Sequence, residues 1–183
     1  MTDPQGRLWA KLKDMPLGPA EAVVTFEDKL IRQTAWPRSL AERAVAEYRR
    51  YLLLAATCGH PVSPSPAVDE VWHLHLLYTR HYWKTLCPDV LGMELHHEPA
   101  TGTPMNRSAL GDDYAKTLAS YEAAFGEPPP VDLWPRTATS GRFDRVDRDR
   151  FVVLPRRATF VAATVVGMIF VVLIGILLWE WVR

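Results

Sequence analysis

Two cysteines in 183 residues are too few for a disulfide framework, which excludes a small, stapled secreted module. An excess of charge of one sign is also missing. The 21 Lys and Arg balance the 21 Asp and Glu, so the chain has no overall basic footprint for nucleic acid. No Gly-rich phosphate loop, C-x-x-C, H-E-x-x-H or G-x-S-x-G pattern occurs, which leaves the common nucleotide, redox, zinc-protease and hydrolase chemistries without their signatures. The opening residues MTDPQGRLWAKLKD are polar and charged and contain no apolar signal-peptide core. Sustained alternation of apolar and polar residues is absent, as is any internal repeat, so strands are not expected.

What the chain does contain is unevenly spread. Residues 1–140 carry 14 Lys and Arg against 17 Asp and Glu, and residues 141–183 carry 7 against 4. The second stretch holds the strongest single signal, a run of 22 uncharged residues from Ala158 to Trp179. At about 1.5 Å per residue it spans roughly 33 Å, enough to cross a hydrocarbon core of roughly 30 Å. Thirteen of its residues are Leu, Ile, Val or Phe. Together they favour insertion by about 4–8 kcal/mol.

Six arginines precede the run, among them Arg148, Arg150, Arg156 and Arg157, and only Arg183 follows it. Positive charge stays on the cytoplasmic side, so the N-terminal body is expected in the cytoplasm. Ala163, Gly167 and Gly175 lie on one face of the span and would let another transmembrane helix approach closely. An integral membrane partner, or self-association through this helix, is therefore expected. The four basic-flank arginines form a lipid-facing charged border.

The body reads as helical. Leu8, Trp9, Leu12 and Met15 mark a short amphipathic turn, and Val23, Phe26, Leu30 and Ile31 a helix ended by Trp36-Pro37. Ser39 to Glu42 has capping-box spacing ahead of a long apolar face ending near Cys58-Gly59. GHPVSPSP is a loop, and Ser65-Pro66 offers an N-cap followed by proline at the first helical position. The helix it opens is predicted to run to about Leu86. Tyr114, Leu118, Tyr121 and Phe125 define a last helix, capped by Gly126 and stopped by Pro128 to Pro130, after which the chain leads into a linker.

The fold class expected is all-α: a small domain of four or five helices plus one C-terminal transmembrane helix. Residues 1–135 form the cytoplasmic domain, 136–157 a basic juxtamembrane linker, 158–179 the span and 180–183 a short tail.

The distinctive segment is PSPAVDEVWHLHLLYTRHYWKTLCPDVLGMELHHEP, residues 64–99. At about 100° per residue, Val68, Trp72, His75, Thr79, Tyr82 and Leu86 form one stripe, predicted to be buried. His73 falls on the opposite side with Asp69, one turn earlier, whose carboxylate can orient the imidazole. Residues i and i+2 of a helix diverge, so His73 and His75 do not both face one ion from a regular helix. A metal site wants three or four donors. His73 or His75, Cys87 and His97 supply them if the chain from 87 to 97 folds back, with Asp69, Trp72 and Tyr82 as the supporting shell.

Asp69-Glu-Val-Trp72-His73-Leu-His75, followed by Tyr82, Cys87, Gly92 and His97, resembles the glycine-rich domain-containing protein-like family. EYRRYLLLA, YAKTLASYEAAFGEPPPVDLWP and Trp36 extend the resemblance over residues 22–135. It implies a helical domain and carries no activity. The glycine-rich tail is missing, since glycine numbers only 10.

Two functions fit these observations. One is a membrane-anchored cytoplasmic interaction or assembly module, a subunit or accessory factor of a membrane complex. The other is a metalloprotein, with or without catalysis, that holds a divalent ion such as zinc at His73, His75, Cys87 and His97. No catalytic residue is assigned.

Overall fold

A computed structural model describes residues 3–19, 21–98 and 103–136. The chain divides into one unit of residues 1–143 and another of residues 144–183, and the second lies outside the described residues. So do the expected span at 158–179, its small residues Ala163, Gly167 and Gly175, and the flank at Arg148, Arg150, Arg156 and Arg157. Among the described residues no helix is long and apolar enough to cross a membrane.

The body is all-helical, with no strand among the described residues. Its helices are α1 (Asp3–Leu12), α2 (Phe26–Thr34), α3 (Arg38–Thr57), α4 (Pro66–Leu76), the single turn α5 (Thr79–His81) and α6 (Pro104–Phe125). A π-helical segment, Tyr82–Leu91, directly follows α5. Helix α3 lies at the centre and packs against α1, α2, α4, α6 and the π segment. Its buried face combines small residues (Ala41, Ala44) with Tyr48, Tyr51, Leu52, Leu53 and Leu54. The small residues admit close neighbours, and the large ones fill the space between helices.

Local chemistry explains the helix starts and stops. Thr25 and Asp28 form the capping box of α2: each side chain accepts from the other's backbone N–H, both at 3.1 Å. Because α2 begins only at Phe26, Val23 falls outside it and is almost fully exposed rather than inward. Ala35 ends the helix in the left-handed region (φ 58°), donating to the Ile31 carbonyl at 2.8 Å. The box expected at Ser39–Glu42 does not cap α3. Pro37, with φ −58°, already sets the geometry two residues before Ser39, and no side-chain cap is present.

The helix opened by Ser65 is capped as predicted, with Ser65 Oγ accepting from Val68 N at 3.2 Å. It stops at Leu76 rather than near Leu86, and Thr79, placed in the buried stripe by the sequence, is exposed. The other stripe residues, Val68, Trp72, His75, Tyr82 and Leu86, are buried. Pro88 accounts for the wide turns that follow. It has no N–H to donate in either geometry, but in an α-helix its ring would also clash with the carbonyl four residues back, and the wider π turn relieves that clash. Gly92, at φ 71°, closes the segment by donating to the Cys87 carbonyl.

Beyond Pro130 the chain does not leave the body at once. Leu133 and Trp134 are fully buried. Trp134 Nε1 donates to Glu47 Oε2 at 2.9 Å, and the Tyr121 hydroxyl donates to Glu47 Oε1 at 3.2 Å. Burial pushes the Glu47 carboxyl up, and these two donors offset part of that rise. The Tyr114 hydroxyl donates to the Pro135 carbonyl at 2.8 Å, and Arg43 makes a two-pronged pair with Asp132 at 2.7 and 2.8 Å. Every buried side-chain nitrogen or oxygen among the described residues has a hydrogen-bond partner.

Candidate metal centre and cleft

Asp69 and His73 stand one turn apart on α4, as the spacing requires, with His73 Nδ1 3.6 Å from Asp69 Oδ2. The third member arrives from a distant segment. His97 Nε2–H donates to Asp69 Oδ1 at 2.7 Å, and the His73 and His97 rings lie 4.5 Å apart between centroids. One donor atom from each of Asp69, His73 and His97 falls within 4.8 Å of the other two. The side chains of Asp69 and His73 are each 33% exposed and that of His97 is 14% exposed, so the cluster is reachable from solvent yet walled by protein.

A chain of hydrogen bonds brings His97 there. Trp72 Nε1 donates to the Tyr82 hydroxyl at 2.9 Å, and that hydroxyl donates to the Leu95 carbonyl at 2.5 Å. The segment after Gly92 is thereby tied down two residues before His97. Trp72 also meets the His97 ring edge-on at 4.5 Å. Burial pushes the Cys87 thiol up, and a backbone hydrogen bond from Leu95 works against that rise. Trp72, Tyr82 and Cys87 thus all act on the loop that presents His97.

Of the four donors expected from sequence, the structure brings His73 and His97 together and leaves His75 and Cys87 apart from them. Asp69, expected in support, stands among the donors. His75 is fully buried. Its Nδ1 pairs with the Tyr48 hydroxyl at 3.0 Å and its Nε2 with His81 Nδ1 at 2.8 Å, so both ring nitrogens are engaged. Burial lowers its pKa to about 3, with smaller contributions from His81 and Arg49.

Sequence reasoning missed the partners Tyr48 and His81 and the structural carboxylate Glu47. None of the three has a local pattern that marks it. His60, in the loop after α3, is half-buried and reaches Ser120 Oγ on α6 at 2.8 Å.

Two members of the cluster sit on the wall of a cleft of about 570 Å³. Asp69 and His97 line it beside Tyr51, Trp72, Val62 and Leu110, and Glu98 and His96 also face it. Among the described residues no lysine or arginine lines it.

A protein-family model described as UCP032817-like matches residues 26–112, from α2 into α6 and just under half of the chain. That finding overturns the resemblance to the glycine-rich domain-containing protein-like family, since no glycine-rich domain family is shown. Two of the residues that carried the resemblance, Trp72 and Tyr82, form the tie to Leu95. Such residues answer to a local packing need, and a short pattern of them does not identify a family. No curated protein and no solved structure matches the chain.

Proposed function

We propose that this chain is a membrane-anchored protein that binds a divalent transition-metal ion, such as zinc, through Asp69, His73 and His97. The observation that carries the reading is the convergence of two imidazoles and one carboxylate within 4.8 Å, drawn from segments 24 residues apart in sequence (73 to 97). Zinc and its neighbours in the series take imidazole nitrogen and carboxylate oxygen readily. The ion would replace the proton that His97 now shares with Asp69. Three protein ligands leave at least one position for a further ligand, the arrangement of binding and catalytic centres rather than of closed structural ones.

The test is zinc titration of the purified full chain against a chromophoric chelator, beside elemental analysis. One ion per chain is expected. Asp69→Asn and His97→Ala should each weaken binding at least about tenfold. Cys87→Ser, outside the donor set, should keep it. Zinc binding unchanged in His97→Ala would refute the assignment.

The anchor rests on the uncharged run at 158–179 and the arginines before it. It places the body at the cytoplasmic face. Protease added to that face should remove residues 1–140, and protection of the body would refute the orientation. A second reading, an interaction or assembly module within a membrane complex, is favoured by the small-residue face at Ala163, Gly167 and Gly175. Under it, Gly167→Leu should weaken crosslinking to an integral membrane partner or to a second copy.

A further inference from the structure

We infer that the cleft beside the metal ligands binds a monocarboxylate with an uncharged apolar tail, its carboxylate completing the coordination of the ion. This rests on the metal reading above.

Charge argues first. Two neutral imidazoles and one carboxylate leave a divalent ion with one uncompensated positive charge in a half-buried site. A monoanion neutralises it. Among the described residues no lysine or arginine lines the cleft to compete with the ion for an anion. Glu98 also faces the cleft, so a second carboxylate on the ligand would meet like charge.

Position argues next. Asp69 and His97 belong both to the donor cluster and to the cleft wall, so a ligand entering the cleft reaches the ion's open side. Away from Glu98, His96 and Ser63, the remaining wall is apolar in its effect. Trp72 has given its N–H to Tyr82, the Tyr51 hydroxyl donates to the Val62 carbonyl at 3.4 Å, and His60 is held by Ser120 and by the Pro61 carbonyl at 2.8 Å each. With those polar atoms engaged, Tyr51, Val62, Trp72 and Leu110 present hydrocarbon and ring faces to the tail. The volume of about 570 Å³ lies within the range of small-molecule sites.

The experiment uses the full chain in lipid nanodiscs, loaded with cobalt(II) and titrated with acetate, butanoate and hexanoate, with empty nanodiscs as the partition control. Each carboxylate should shift the cobalt visible absorption, which reports direct coordination. The dissociation constant should fall about fourfold per buried methylene. Hexanoate should therefore bind up to roughly two-hundredfold tighter than acetate. Adipate, as long as hexanoate but doubly charged, should bind more weakly than hexanoate, and metal-free protein should bind none of them.

Equal affinity for acetate and hexanoate would overturn the inference, as would hexanoate binding to metal-free protein or a cobalt spectrum indifferent to every carboxylate. These outcomes leave the metal assignment standing. Failure to take up cobalt and zinc at all removes both, and is recognised by the absence of any cobalt band before ligand is added.

Discussion

Acid should loosen the body through His75, and the size of the effect follows from its surroundings. The ring is fully buried among Phe26, Tyr48 and Tyr82. Its nitrogens face Tyr48 and His81, and Arg49 contributes positive potential. A histidine whose pKa drops from 6.5 to about 3 on folding is neutral in the folded chain while the unfolded chain takes up a proton. Its contribution is therefore intact above 6.5 and lost as pH falls toward 3. The loss approaches about 1.4 kcal/mol per pH unit below 6.5, or roughly 2 kcal/mol between pH 6.5 and 4.5. His81, also lowered by burial, adds in the same sense. Glu47 opposes them, because a carboxyl raised by burial favours the folded state as pH falls.

The assay is urea unfolding of the full chain in mild detergent, read by tryptophan fluorescence from pH 7.5 to 4.5, for the parent and for His75→Leu. At pH 7.5 the variant should be less stable by about 1–3 kcal/mol, since the buried Tyr48 hydroxyl loses its partner. Its acid slope should be shallower by most of the amount attributed to His75. An identical slope in parent and variant would refute the reasoning, as would a His75 ring resonance that titrates near 6.5.

Trp134→Ala should cost about 3–5 kcal/mol by emptying a filled site and removing a donor from Glu47; a melting temperature within a degree of the parent's would contradict it. Arg43→Ala breaks a pair whose side chains are 51% and 40% exposed, so a loss under about 1 kcal/mol is expected in the same melt. Gly92→Ala forces a side chain into the left-handed region at φ 71° and should cost about 1–2 kcal/mol. It should also weaken zinc binding, because the segment carrying His97 starts there; unchanged zinc affinity would separate the turn from the site.

The helices were legible where periodicity and punctuation coincide. Ser65-Pro66, Gly126 and the Trp36-Pro37 break gave correct boundaries because each acts on the chain within one turn of itself. The divergence of His73 and His75 was also legible, being a property of helix geometry alone. The wide segment at Tyr82–Leu91 was not, since an apolar stripe continues through it and only the register of hydrogen bonds changes. Two capping-box patterns four residues long stand at Thr25–Asp28 and Ser39–Glu42, and sequence has no means of knowing that Pro37 makes the second redundant. His97 was nameable as a donor, but its meeting with Asp69 depends on a hydroxyl-to-carbonyl tie, Tyr82 to Leu95, that leaves no periodic trace. Leu133 and Trp134 follow three prolines and look like departure from the fold, yet they close it.

That closure decides how the body responds to mechanical load. Tension applied to the chain beyond residue 136 enters through Pro135, whose carbonyl is held by Tyr114, and through Trp134 and Asp132, which grip Glu47 and Arg43. The attachments sit on two helices, α6 and the central α3, so the pull is shared between them instead of peeling α6 from its C-terminal end. A tug on the tail must extract an indole from the core before any helix can unravel. In a pulling experiment the first rupture should therefore be a single event centred on Trp134, with the donor cluster on α4 still assembled when it occurs.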